Sequence, residues 1–282
     1  MKTEDLAWLI RRHGFEMTHL SGGSHIGAIF SMADFMAVLY NEILKFDPKN
    51  PKDESRDRFV LSKGHAGAAV YACLAEEGFF PRENLKQHYQ NGSHLSGHVS
   101  HIGVPGVEFS TGSLGHGVCA ACGMAYALRK DNKPNRVFAV VGDGECDEGS
   151  VWETALFAAH FKLDNFCIVV DRNKMQSLDF TENTIRLEPF ADKWKAFGFD
   201  TQEVDGHNFD EIRKAFENIK SVKDKPHVII MDTTKGKGVS FMENNILWHY
   251  RFPHDGDEYE NGLKELHAIK PDGLKDPYEE EK

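Results

Sequence analysis

A chain of 282 residues, 40% of them hydrophobic and 11% aromatic, is long enough to bury a full core, as one large domain or two modest ones. Its formal charge of −11 and isoelectric point near 5.7 exclude broad electrostatic binding to nucleic acid or an anionic membrane, since both need a positive surface. Five cysteines are an odd number in a long chain and form no disulfide framework, and no signal peptide or membrane span is readable, so a reducing, cytoplasmic setting is expected.

Apolar spacing predicts helices over 4–19, 31–44, 66–77 and 115–130. Between the last two, His94, His98 and His101 crowd one stretch, and Cys119-x-x-Cys122 follows. Zinc is rejected for both clusters because no second ligand pair at finger-like spacing accompanies them. The cysteines lie in GVCAACGMAYAL, where small side chains are better explained by close helix packing.

The runs RVFAVV (136–141), NFCIVV (165–170) and HVIIMD (227–232) are short and rich in β-branched residues. Being apolar on both faces, they predict a buried, mostly parallel central sheet flanked by helices on both faces, an α/β fold. GSVWETALFAAHFKL (149–163) supplies the helix of a β-α-β unit. A helix over 209–219 opens with Asn208 as N-cap and Glu211 three residues on. No repeat or linker interrupts the chain, so residues 1–282 are expected to form one domain, with a polar, loosely ordered tail over about 265–282.

The chemistry gathers where the first two strands end. VVGDGECDEGS (140–150) runs from a buried strand into Gly-Asp-Gly and three further acids, while DRNKMQ (171–176) closes the next strand. Ligands of α/β sheets bind beyond such carboxyl ends. Asp143 offers a carboxylate, Asn173 an amide oxygen and Met175 a backbone carbonyl, hard oxygen ligands that suit Mg²⁺ or Ca²⁺ and fit zinc poorly. Gly142 and Gly144 bring backbone N–H groups close to an anion, so the pair of turns describes a metal and diphosphate site. Glu145 and Asp147 are read as solvated loop charges or partners behind the ligands. Gly-Asp-Gly alone also makes ordinary turns; Asn173 in the second turn strengthens the metal reading.

GDGECDEGSVWETALFAAHFKLDNFCIVVDRNKMQ resembles the thiamine diphosphate motif, and Glu148–Gly149 within it are those of transketolases. Four further stretches resemble that family in order: SGGSHIGAIFSMADFMAVLY (21–40), RDRFVLSKGHAGAAVYACL (56–74), LSGHVSHIGVPGVEFSTGSLGHG (95–117) and TTKGKGVSFMENNILWH (233–249). The resemblance spans residues from about 6 to 255 and implies transfer of a two-carbon ketol fragment from a ketose to an aldose, both small sugar phosphates, with thiamine diphosphate carrying the chemistry.

By the same resemblance, Asp143, Asn173 and the Met175 carbonyl would hold Mg²⁺, with Ca²⁺ or Mn²⁺ as substitutes. The Gly144 amide and His65 would contact the diphosphate, Gly112, Ser113 and Leu114 would line the thiamine, and His249 would stand between diphosphate and substrate. His25 and His98 match histidines that reach substrate hydroxyls or assist proton transfer, work for which an imidazole of ordinary pKa is suited. Glu148 matches an acid in a carboxylate network that crosses a subunit interface.

Transketolases are much longer, and nothing here resembles their pyrimidine-binding domain, which carries the glutamate that activates the cofactor. The resemblance therefore implies a split enzyme: a diphosphate-binding subunit, active only with a separate C-terminal pyrimidine-binding subunit, in a heterotetramer of two plus two. The chain departs from the family pattern at Ile26, where proline is usual, at His116, where glutamine is commoner, and at Tyr250–Arg251, where glycine follows the histidine. These departures leave the sugar open between pentose-phosphate, branched and sulfonated types. Two other readings compete: one chain of a 2-oxo-acid dehydrogenase, against which FSTGSLGHG speaks, and a non-catalytic thiamine diphosphate-binding protein, against which the joint presence of the metal ligands and histidines speaks.

Overall fold

Phe138 and Val140 face one side of a strand while Val137, Ala139 and Val141 face the other, and all five are fully buried. The computed structural model, which describes residues 1–279, repeats this two-sided burial in neighbouring strands. Its elements in chain order are α1 (Thr3–Ser21), α2 (Ile26–Ser31), α3 (Ala33–Val38), β1 (Arg58–Leu61), α4 (Gly67–Glu76), α5 (His116–Lys130), β2 (Val137–Gly142) and α6 (Gly149–His160). There follow β3 (Phe166–Arg172), α7 (Thr181–Thr184), α8 (Phe190–Ala196), β4 (Asp200–Asp205), α9 (Phe209–Asn218), β5 (His227–Asp232) and α10 (Asp257–Ala268).

The five strands pair in the order β1-β2-β3-β5-β4, every pair parallel. Parallel strands need crossover helices, and these cover both faces. Residues of α1 to α4, α9 and α10 pack with Phe138, Val169 and Ile229. Residues of α5, α6 and α8 pack with Val141, Ile168 and Val228 on the other face. The expected α/β architecture is therefore present, and its parallel strands point all their carboxyl ends to one edge.

The local differences from expectation have physical causes. The helix read at 31–44 begins at Ile26 and is made of α2, α3 and a π-helical turn, Leu39–Ile43. Residues 26–38 are buried on every side, which erases the amphipathic signal that marks a helix start. β4 (DTQEVD) is a polar edge strand, and β1 has only four residues, so neither stands out by hydrophobicity. Asn208 caps α9 as expected, its side chain accepting from the Asp210 and Glu211 amides at 3.1 and 3.3 Å.

The loosely ordered tail is corrected. α10 continues to Ala268, and Leu266 accepts a 2.8 Å bond from the Trp8 indole. Asp276, only 1% exposed, accepts from Arg12 Nε and pairs with His267 Nε2, both at 2.8 Å, and the Arg12 guanidinium lies 4.3 Å from the Tyr278 ring centroid. The tail is polar because its acids serve a buried ion pair. Asp276→Ala leaves the Arg12 charge buried with only Glu16 as partner, and the expected cost is about 3 kcal/mol. A urea midpoint unchanged by this substitution would contradict that packing.

Candidate functional site

Because the sheet is parallel, β1 leads into Ser62–Lys63–Gly64–His65, β2 into Asp143–Gly144, β3 into Asn173–Lys174–Met175 and β5 into Thr233–Thr234–Lys235, all at one edge. Between these turns lies a cleft of about 220 Å³. His25, His65, His98 and His249 line it together with Gly112, Leu114, Asp143, Gly144, Asn173 and Met175, so ten of the residues singled out from the sequence meet there. Ser113 and Glu148 do not line it. Both are exposed, with Glu148 at the N-cap of α6. A larger hollow of about 480 Å³ opens at the opposite, amino-terminal edge. Its cations are answered by carboxylates, Arg129 by Asp164, Arg136 by Asp57 and Lys220 by Glu217, which leaves it little net charge.

The proposed metal ligands are drawn together by one turn. Lys174 is left-handed at φ 64°, and its amide donates to Asp143 Oδ2 at 2.6 Å, while Met175 N donates to Asn173 Oδ1 at 3.2 Å. Asn173 Nδ2 lies 3.3 Å from Asp171, which fixes the amide with its oxygen as the free acceptor. Burial, with Asp171 as a second charge nearby, pushes the Asp143 carboxyl up to about 7. A buried carboxylate held this unfavourably is stabilised by a cation, and the oxygen donors around it are hard, so the residues fit a divalent ion.

The carboxylates beneath are already satisfied. Burial opposes the charge on Asp171, but Lys63 Nζ at 2.5 Å, Ser31 and Thr233 hold its pKa below the ordinary value. Glu145 is 2% exposed and accepts from Ser62 Oγ at 2.5 Å, Gly115 N at 2.8 Å and Gly142 N at 3.1 Å. The solvated reading of Glu145 is therefore corrected: it ties the β1, β2 and α5 turns together. Asp147 is bonded too, accepting from Gln176 Nε2. Gly115 permits this approach, at φ 78° with space for no Cβ, since one would stand 2.2 Å from Ser150 Oγ.

The opposite wall is cationic and imidazole-rich. Lys235 is 3% exposed, and its Nζ reaches His249 Nδ1 at 2.8 Å and the Met175 and Gln176 carbonyls at 3.3 and 3.4 Å, with no carboxylate hydrogen-bonded to it. A buried ammonium without an anionic partner makes a place for an anion. His25 sits in the left-handed region at φ 73°, its amide bonded to the His249 carbonyl at 2.9 Å and its buried Nδ1 without a partner. Strain and an orphaned polar atom in one residue are the mark of a ligand position.

Burial, then His98 and Lys235, lowers His25 to about 4; burial, then Lys235 and His25, lowers His249 to about 3. His65 is pushed well below 6.5, chiefly by burial and Lys63, and desolvation lowers His98 at the cleft mouth. The expectation of ordinary imidazole pKa values is thus corrected for the cleft as it stands. These rings are neutral near pH 7, each carrying one donor and one acceptor. An anion beside them would raise them again.

The family model described as the thiamine diphosphate binding domain of transketolase matches residues 3–258. This chain belongs to the transketolase family. Its relatives include a 6-deoxy-6-sulfo-D-fructose transketolase subunit of Clostridium sp. (strain MSTE9), 44% identical over 86% of this chain and 88% of that one. One of the two chains of an apulose-4-phosphate transketolase from Actinobacillus succinogenes is 42% identical over the same shares. Among solved structures, transketolase from Campylobacter jejuni superposes with a TM-score of 0.86 at 31% identity, over 94% of this chain and 42% of the longer one. This transketolase chain thus matches nearly the full length of subunit-type relatives and less than half of that solved chain.

Sequence reasoning missed Lys63, Lys235 and Gln176 as parts of this transketolase cleft. Lys63 stands beside His65 in the quoted SKGH stretch and Lys235 in TTKGKG, so each was within a recognised stretch, and only the sheet topology shows that they face Asp143. His94 and His101 are exposed, and no cluster of three candidate metal ligands includes either among the described residues. Also among the described residues, no helix is long and apolar enough to cross a membrane.

The raised Asp143 pKa sets a pH dependence. The carboxyl is protonated below about 7 in the cation-free site, and a cation must displace that proton. Apparent Mg²⁺ affinity measured with thiamine diphosphate present is expected to fall as pH drops from 8 to 6, approaching roughly tenfold per unit below the pKa. Proton release seen by calorimetry in two buffers checks it, and a flat profile contradicts it.

Proposed function

We propose that this chain is the diphosphate-binding subunit of a split transketolase, acting as one cofactor-binding unit with a separate pyrimidine-binding subunit in a heterotetramer of two plus two. The observation that carries this reading is the pairing in one cleft of an oxygen triad, Asp143, Asn173 and the Met175 carbonyl, with a buried cation, Lys235, that lacks an anionic partner. Mg²⁺ on the triad would neutralise one side of a diphosphate while Lys235, His65 and the Gly144 amide receive the other. Thiamine diphosphate, when bound, supplies the nucleophile and electron sink for breaking and making the ketol C–C bond.

The chain's own residues then position and protonate. His25, His98 and His249 converge on one point, with ring centroids 5.7 Å apart for His25 and His98 and 5.0 Å for His25 and His249. Neutral imidazoles there accept a proton from a substrate hydroxyl and donate one back as the fragment leaves. Glu148, exposed beside Gly115 and outside the cleft, is placed for a partner's surface rather than for substrate. Relatives named for sulfonated and branched sugars support a donor of that kind over a simple pentose phosphate. The test presents the assembled enzyme with pentose, branched and sulfonated ketoses, an aldose acceptor and, separately, pyruvate. Ketol transfer without pyruvate decarboxylation is expected; the reverse pattern would replace this reading with that of a 2-oxo-acid dehydrogenase.

A further inference from the structure

The residue after His249 is the least explained part of the cleft. Tyr250 is 61% exposed and lines its mouth, with its ring centroid 4.6 Å from that of His249 and 5.7 Å from that of His25. The ring's backbone is held in place. The 3₁₀ turn Ile246–His249 is capped by Asn245, whose side chain accepts from Leu247 N at 3.2 Å, and the His249 carbonyl is bonded to the His25 amide. Arg251 turns away, paired with Glu258 and lying 5.5 Å over the Trp248 ring. What this turn offers the mouth is therefore an aromatic face and a phenol, with the neighbouring positive charge spent elsewhere.

Resting on the ketol-transfer reading, we propose that Tyr250 is a specificity-determining residue, a fixed aromatic wall that packs against the carbons of the donor sugar beyond the transferred two-carbon fragment. His25 and His249, the histidines assigned to the reacting end, lie within 6 Å of the ring, so any donor extending past them toward solvent runs along it. A rigid aromatic contributes contact area at little entropic cost and reads shape and C–H surface instead of charge. Bulk at this point also excludes distal chains that do not follow its face. Selection by one apolar wall amounts to a factor of about 10 to 200.

The experiment uses the assembled two-subunit enzyme and three donors: hydroxypyruvate, in which the fragment is followed only by a carboxyl group lost as CO₂, and a five-carbon and a six-carbon ketose phosphate. Tyr250→Gly is expected to leave hydroxypyruvate turnover and thiamine diphosphate affinity within about twofold, and to change kcat/KM for the longer donors by about tenfold or more, mainly through KM. Tyr250→Phe keeps the wild-type ranking, because the ring face carries the contact. If Tyr250→Gly lowers all three donors equally, or weakens association of the two chains in sedimentation, the residue supports His249 or the interface and the proposal is overturned. If wild-type enzyme transfers no ketol unit from any donor, the functional reading fails first and takes this one with it.

Discussion

Asp143→Ala abolishes metal-dependent binding of thiamine diphosphate, measured by calorimetry with the partner subunit present. The expected loss exceeds roughly 100-fold, because even groups that merely orient a ligand are worth about 10–100-fold. Asp143 is the one carboxylate in the triad and holds the turn itself, accepting from Gly144 N at 2.8 Å and Lys174 N at 2.6 Å. A second readout separates ligand loss from misfolding. The carboxyl's folded-state pKa is raised to about 7 from 3.8, so its charge costs stability that grows as pH rises from about 4 through 7. Cofactor-free Asp143→Ala lacks that cost and is expected to lose less stability at pH 8 than at pH 4, relative to wild type. Unchanged cofactor binding would remove Asp143 from the site.

Lys235→Met weakens thiamine diphosphate binding by about 10- to 150-fold while leaving the cofactor-free fold at least as stable. The first figure is the loss of one charge-assisted hydrogen bond, about 1.5–3 kcal/mol. The second follows from burial. Desolvation, then repulsion from Lys63, lowers the Lys235 pKa to about 8, so the empty cleft holds this charge at a cost. Methionine fills similar volume without it. A structural lysine would show the opposite pattern, a fall in melting temperature with cofactor affinity intact.

The two experiments probe parts of the site that differed in legibility. Asp143 and Asn173 were readable because Gly-Asp-Gly and the Asn-bearing turn each follow a β-branched run, and a parallel sheet puts such turns side by side. The same logic located β2, β3 and β5. It could not find β4, whose polar DTQEVD pairs at the sheet edge, or the start of α2, where burial on all sides removes periodicity. Lys235 was hidden for another reason. A lysine in a glycine-rich turn reads as solvated, and its 3% exposure arises only when Met175, Gln176 and His249 close around it from distant segments. Asp276 was misread likewise, since a polar tail gives no sign that Arg12 of α1 is buried and needs a partner. Imidazole pKa values also escaped the sequence because they are set by burial and by Lys63 and Lys235 across the cleft.

On this reading the chain supplies the diphosphate half of a site that another polypeptide completes. The decisive measurement is ketol transfer to an aldose acceptor, with Mg²⁺ and thiamine diphosphate, by each of the two polypeptides separately and by the two mixed. Turnover is expected only in the mixture, and is lost with Asp143→Ala. Turnover by this chain without its partner, or none in a mixture that binds cofactor tightly, would contradict the split site.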